Sequence, residues 1–337
     1  MEHQLVTMHD VADLAGVSIT TVSHVVNSTR QVAPATKERV LAAIERTGYT
    51  GDAIARSLVT GGTRSLGVAI SVVANPYFAE LMQAVESGAS LAGYTLLLTD
   101  THDEPDTEQA ATRALRSRRV DGLLLTPTPS APRTVLPELR QIGVPTVLVD
   151  RLPGFRGVDQ IGPENVQATS ALVEHLGGSG HQRIGMISGR SGLTTTQERV
   201  LGYRLGLGRT GLPWDAELVA SGESSVEPAG QALHRLLSLD RPPTAVIAGN
   251  NVMVSGVLRA ARQHGLRVPD DLAVVGYDEV EWADLVDPPL TTMAQPVAEI
   301  GRQAVRMLLA RIAEPDREDT TIRLPPRLLH RKSCGCP

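Results

Sequence analysis

From Leu66 onward, short runs of apolar residues alternate with longer stretches in which apolar positions recur every three or four residues. "SLGVAIS", "YTLLLTD", "VDGLLLTP" and "PTVLVD", then "RIGMIS", "TAVIAG" and "LAVVGYD", each end in a Gly, Pro or polar break before an amphipathic segment. Apolar runs of that length predict strands buried on both faces, and the amphipathic segments predict helices that cover a parallel sheet. The runs fall into two groups, residues 66–160 and 161 to about 290, which read as two doubly wound lobes of α/β class.

The first fifty residues follow a different period. Thr7 and Asp10 have the spacing of a helix capping pair, and Val11, Leu14 and Ala15 supply an apolar stripe that stops at Gly16. Ser18 suits the N-cap of a second helix, in which Val22, Val25 and Val26 share one face and Thr20 and His24 the other. Pro34 opens a third helix, "PATKERVLAAIERTG", with Val40, Leu41 and Ile44 as its stripe and Gly48 at its end. Three short helices with a tight turn between the first two describe a helix-turn-helix, whose second helix enters the DNA major groove. On pattern alone, a plain three-helix packing unit is the alternative.

Composition narrows the class. A chain of 337 residues has room for two or three domains, and with only 3% aromatic residues its interior must be built from Leu, Val, Ile and Ala. The net charge of −5 masks a small basic excess between His24 and Arg64, where Arg30, Lys37, Arg39, Arg46, Arg56 and Arg64 face Glu38, Glu45 and Asp52. Cys334 and Cys336 are the only cysteines, so no disulfide framework is expected. Without a second ligand pair at a matching spacing, they read as a frayed, reduced tail and not as a metal site. No secretory signal or membrane-length apolar run is present, and a cytoplasmic protein is expected.

"DVADLAGVSITTVSHVVN" followed by "VAPATKERVLAAIERTGYTGDAIARSL" resembles the headpiece and hinge of the lactose repressor/galactose repressor (LacI/GalR) family of bacterial transcription factors, and the likeness runs to "RLLHRKSC". It implies a headpiece over 1–50, a hinge helix and linker over 51–64, and an effector-binding and dimerisation core over 65–337. The core is similar to periplasmic sugar-binding proteins. Its N-lobe would take residues 65–160 plus part of 291–325, and its C-lobe 161–290 plus the last segment, with a helix near 296–313 and strands around 321–331 crossing back. The resemblance further implies a homodimer on a pseudo-palindromic double-stranded operator.

Within the headpiece, the resemblance assigns base reading to Ile19, Thr20 and His24, with Ile19 restricted to apolar contact such as a thymine methyl. It assigns phosphate contacts to Thr7, Ser18, Thr21, Ser23, Asn27 and Tyr49, for each of which capping or solvated surface is the alternative. In the hinge, Leu58 becomes a minor-groove wedge, with Ala55 allowing close approach and Arg56 near the backbone.

Polar residues at strand ends supply the candidate effector site: Asn75, Tyr77, Phe78, Asp150, Arg151, Thr195, Arg199, Asn250, Asp278 and Gln295. Carboxylates, guanidinium groups and amides beside aromatic faces suit a polyol, and by resemblance this set is that of a sugar site. An Asp150 ion pair with Arg151 or Arg199 that locks the lobes, and a core role for Tyr77 and Phe78, are the structural alternatives. Leu193 and Ser224 stand where purine-responsive relatives carry an arginine and a phenylalanine, which favours a sugar effector over a purine or nucleoside. "GLGRTG", residues 206–211, fits a dinucleotide fingerprint but lacks the strand before it and the helix after it. No cofactor, metal or catalytic constellation is expected. A cytoplasmic sugar-binding module without a DNA role is the remaining alternative.

Overall fold

Local helix signals shape the first part of the chain. The computed structural model describes residues 6–27, 30–49, 62–71 and 74–336, and the chain divides into two compact units, Met1–Arg64 and Ser65–Pro337. The first holds α1 (Met8–Ala15), α2 (Ile19–Asn27) and α3 (Pro34–Thr47). Thr7 Oγ1 accepts the Asp10 amide, and Asp10 Oδ2 accepts the Thr7 amide at 2.7 Å, so the capping pair satisfies two orphan donors at once. Gly16 ends α1 in the left-handed region at φ +63°, where Arg39 Nη2 donates to the Gly16 carbonyl at 3.1 Å and ties α3 to that turn.

The small core of this unit gathers Val11, Ala12, Ala15, Val22, Val25, Val40, Ala43 and Tyr49. Leu14 and Leu41, expected in the apolar stripes, are instead 42% and 50% exposed. Ala12 and Ala43 take the inward positions, because small side chains allow such short helices to approach closely.

The second unit contains two six-stranded sheets. The first has the order β11-β5-β4-β3-β1-β2 and is wholly parallel; its strands are β1 (Ser65–Ile70), β2 (Thr95–Asp100), β3 (Gly122–Leu125), β4 (Thr146–Val149), β5 (Asp159–Pro163) and β11 (Thr321–Leu324). The second, of order β12-β10-β9-β8-β6-β7, comprises β6 (Ile184–Ser188), β7 (Val219–Ser221), β8 (Ala245–Ala248), β9 (Ala273–Tyr277), β10 (Thr291–Ala294) and β12 (Arg327–Leu329). Only its β10–β12 pair is antiparallel. Helices α4 (Pro76–Leu91), α5 (Pro105–Ser117) and α6 (Val135–Gln141) cover the first sheet. The second is covered by α7 (Asn165–Gly178), α8 (Thr194–Thr210), α9 (Val226–Leu237) and α10 (Asn251–Gln263). Helix α11 (Val297–Ala313) returns to pack on α4 and on β3 to β5. Among the described residues, no helix is long and apolar enough to cross a membrane.

Two expectations are corrected by the structure. A lobe boundary at 160 would cut β5, which the sequence hides behind the polar start "DQ": Asp159 is fully buried because Arg311 Nε (3.0 Å) and the Thr320 amide (2.8 Å) neutralise and satisfy its carboxylate. Within the 291–325 segment, strand β10 lies in the C-lobe sheet beside β9, so the part that joins the N-lobe is the later one, β11 beside β5. The Cys-Gly-Cys segment does not fray. Ser333 Oγ accepts the Thr291 amide at 2.8 Å and donates to the Val274 carbonyl at 2.6 Å, and Cys334 is wholly buried.

The glycines of "GLGRTG" serve packing. Gly206 lies in α8 against α7, where a Cβ would sit 2.6 Å from Val173 Cβ, and Gly211 ends α8 at φ +72°. One turn earlier, a Cβ on Gly202 would lie 2.3 Å from the Val166 carbonyl oxygen. Gly202→Val is therefore expected to destabilise the unit by about 3 kcal/mol or more. Gly208→Ala, with open space at its Cβ, is expected to gain about 0.5–1 kcal/mol, both read by denaturant unfolding.

Candidate effector cleft and DNA-facing helix

Parallel strands of both sheets end at one opening. Ser71 follows β1, Asp150 and Arg151 follow β4, Gly189 and Arg190 follow β6, Gly249 and Asn250 follow β8, Asp278 follows β9 and Gln295 follows β10. All line a single cleft of about 580 Å³ between the lobes. The Asp150, Gly249 and Asp278 amides still donate to the neighbouring strands (Ile161, Ile187 and Met293 carbonyls), and the residues just past the strands line the opening, as expected of open α/β sheets. Asp150 and Asp278 do so by the same device: both take left-handed backbone, at φ +71° and +73°, immediately after their strands.

Arg199 occupies the centre. Its Nε donates to Asn165 Oδ1 at 3.0 Å and its Nη1 to the Gly249 carbonyl at 2.6 Å, while the guanidinium lies 3.8 Å from the centroid of the Tyr277 ring. Burial works against its charge, but Asp278, Tyr277 and Asp150 outweigh that and hold its pKa above the ordinary arginine value. On the opposite wall, Tyr77 Oη donates to Asp150 Oδ1 at 2.8 Å, and Phe78 meets the Tyr77 ring edge-on at 5.1 Å. Burial pushes the Asp150 carboxyl up against the pull of Arg151 and Arg199, and it pushes the Tyr77 phenol up together with the neighbouring Asp150 charge.

All ten candidate effector residues line this cleft. Their partners differ from the simple ion-pair reading. Arg151 Nη2 donates to Asp103 Oδ2 at 3.0 Å and to Ser71 Oγ at 3.1 Å, whereas its Nε stands 3.8 Å from Asp150, a neighbour on the same strand end, so that pair locks no lobes. The lobes are bridged instead by Asn251 Nδ2, which donates to Asn75 Oδ1 at 2.7 Å, and by Arg190, which reaches Glu104 and the Asp103 carbonyl at 3.3 Å. Tyr77 and Phe78 belong to the N-lobe core and also present surface to the cleft. Asn250 caps α10 by accepting the Met253 amide, and Thr195 stands in the first turn of α8. Gln295 Nε2 donates to Asp278, but its buried Oε1 has no hydrogen-bond partner among the described residues. Arg190, Asp103 and Ser71 escaped the sequence reading, although Arg190 follows "MISG" in the same strand-end position that singled out the others.

The headpiece presents a separate surface. Ile19 is 37% exposed, Thr20 is exposed, and His24 is half-buried on α2. Ser18 and Thr21 join hydroxyls at 2.9 Å, and Ser18 Oγ caps α2 by accepting the Thr21 amide, while Thr7 is held in its capping box. Ser23 is half-buried on α2, and Tyr49 packs its ring into the small core and is 7% exposed. The Asn27 side chain and the hinge residues Ala55, Arg56 and Leu58 lie outside the described residues.

The raised Asp150 pKa has a sign. An acid whose folded pKa exceeds its unfolded value costs stability when ionised, and the cost is relieved as pH falls through the folded pKa. Asp150→Asn removes that charge, and Asn tolerates the left-handed backbone. The variant is expected to unfold at an equal or higher denaturant midpoint than wild type at pH 7, with a flatter decline from acid to neutral pH. Its cleft is expected to lose about tenfold or more in ligand affinity, as the loss of a charge-assisted hydrogen bond implies.

Comparisons with known proteins agree with this architecture. Residues 7–52 match the bacterial regulatory proteins of the lacI family, and residues 173–334 match the periplasmic binding protein-like domain. The chain is 35% identical to the HTH-type transcriptional repressor PurR of Photobacterium profundum, over 98% of each chain. It is 37% identical to the PurR of Mannheimia succiniciproducens, again over 98% of each. Its fold superimposes on the lac repressor dimer bound to operator and the anti-inducer ONPF with a TM-score of 0.88 at 29% identity, covering 98% of this chain and 99% of that one. For the regulator CelR in complex with cellobiose the TM-score is 0.73 at 31% identity, covering 97% and 99%. The chain belongs to the LacI family of bacterial transcriptional regulators.

Proposed function

We propose that this regulator is a homodimeric, cytoplasmic repressor whose affinity for a pseudo-palindromic operator is set by a sugar-like effector in the interlobe cleft. One observation carries the choice of ligand: the cleft combines carboxyl acceptors (Asp150 and Asp278), guanidinium donors (Arg151, Arg190 and Arg199), an unsatisfied amide oxygen on Gln295 and two aromatic faces. A polyol supplies both hydroxyl donors and acceptors to such a set and an apolar ring face to Tyr77 and Phe78. The ligand is bound and released, not turned over.

The name PurR carried by the relatives favours a purine as the second reading. Against it, Leu193 is 4% exposed on the cleft wall and offers no polar group, and the Ser224 hydroxyl accepts the Arg190 amide at 3.1 Å and offers no stacking face. At the DNA, Ile19, Thr20 and His24 would read bases from α2, while Thr7, Ser18, Thr21, Ser23, Asn27 and Tyr49 would hold the backbone; Ala55, Arg56 and Leu58 would enter the minor groove between the two headpieces. The exposed Leu98 on edge strand β2 and Leu91 at the end of α4 support contact with a second copy.

Calorimetry against pentoses, hexoses, their phosphates, nucleosides and purine bases tests the ligand: one sugar is expected to bind wild type and to lose affinity for Arg199→Ala. Binding of a purine base with silence across the sugars would overturn the choice. At the operator, His24→Ala is expected to cost about 1–3 kcal/mol and to relax preference at one base pair of each half-site. Ser18→Ala should weaken binding evenly across sequences, and fluorescence anisotropy on a panel of operator variants separates the two.

A further inference from the structure

We propose that His175, His330, Cys334 and Cys336 form a structural zinc site. His175 is remote in sequence from the other three, but the fold brings them together: His175 lies in the last turns of α7, His330 follows β12, and the two cysteines follow on the docked segment beyond it. Each offers one ligand atom, and the four atoms lie within 4.8 Å of one another. Cys336 Sγ is already 3.2 Å from His175 Nε2. A tetrahedral zinc ion, with bonds of about 2.3 Å to sulfur and about 2.0 Å to nitrogen, separates its ligand atoms by about 3.3–3.8 Å, so small side-chain rotations complete the shell.

The chemistry of the set is selective. Two thiolates and two imidazoles are the borderline-soft donors that tetrahedral zinc takes, and two thiolates balance its charge in a partly buried place. Gly335 adopts φ +73°, a backbone turn that glycine takes without strain and that lets the sulfurs on either side of it face the same helix. The Ser179 hydroxyl stands 2.8 Å from Cys336 Sγ, where an outer-shell partner orients a ligand. Burial of one small apolar side chain would account for Cys334, which is fully enclosed. It does not account for the second cysteine or for two imidazoles packed edge-to-face at 5.1 Å. With all four positions filled by protein, the ion would clamp the segment after β12 onto α7 and leave no open position for a reaction.

Cobalt(II) titration of the reduced, untagged full chain, freed of metal by a chelator, tests the site. One equivalent is expected to give the intense ligand-field bands of tetrahedral cobalt and a thiolate charge-transfer band, both abolished by one equivalent of zinc. Zinc is expected to raise the thermal midpoint of wild type. Cys336→Ser and His330→Ala, each altering a residue outside the buried core, should keep the wild-type circular dichroism while losing the bands and the zinc-dependent midpoint shift. Absence of the bands in the reduced wild type, or bands that survive both substitutions, would overturn the proposal.

Discussion

A buried guanidinium, held by an amide, a backbone carbonyl and an aromatic ring, stands at the rim where the strands of both lobes end. Arg199 is held away from water by Asn165 and the Gly249 carbonyl, which take its nitrogens, and by the Tyr277 ring against its face, while the nearby Asp278, Tyr277 and Asp150 favour its charge. Both carboxylates are aimed by left-handed turns directly after β4 and β9. Moving either lobe therefore changes the electrostatic balance at Arg199.

The same constraint explains why so much of the cleft was legible. In a parallel sheet, the residues that interrupt an apolar run at its carboxyl end cannot sit in the core, so "VLVDR", "VIAGN" and "VVGYD" announce polar groups at one rim. Asp150, Arg151, Asn250 and Asp278, read this way, all line the opening. What the rule leaves out is pairing. That Arg151 answers Asp103 and not Asp150, or that Asn251 reaches across to Asn75, depends on loop paths with no periodic signal. Strand β5 was hidden because its polar residues are buried, and burial of a charge is decided by a partner such as Arg311, 152 positions away. The cluster around Cys336 was hidden for the same reason, since His175 lies 161 positions upstream.

In the headpiece the signals were local and the errors small. Capping residues and helix-ending glycines set α1 to α3 where the pattern placed them, because they act within one turn. Which apolar residue faces inward was less secure. Leu14 and Leu41 point outward because Ala12 and Ala43 suit the closer approach of the helices, a choice that depends on tertiary spacing and not on helical period.

The account as a whole rests on coupling between the cleft and DNA. Its most direct test is the affinity of the full-length protein for its operator duplex, measured by fluorescence anisotropy as the cleft's ligand is titrated to saturation. Coupling predicts a change of about 5- to 150-fold, accompanied by the same factor in ligand affinity when operator is added first. An operator affinity that stays constant while the cleft fills would contradict it.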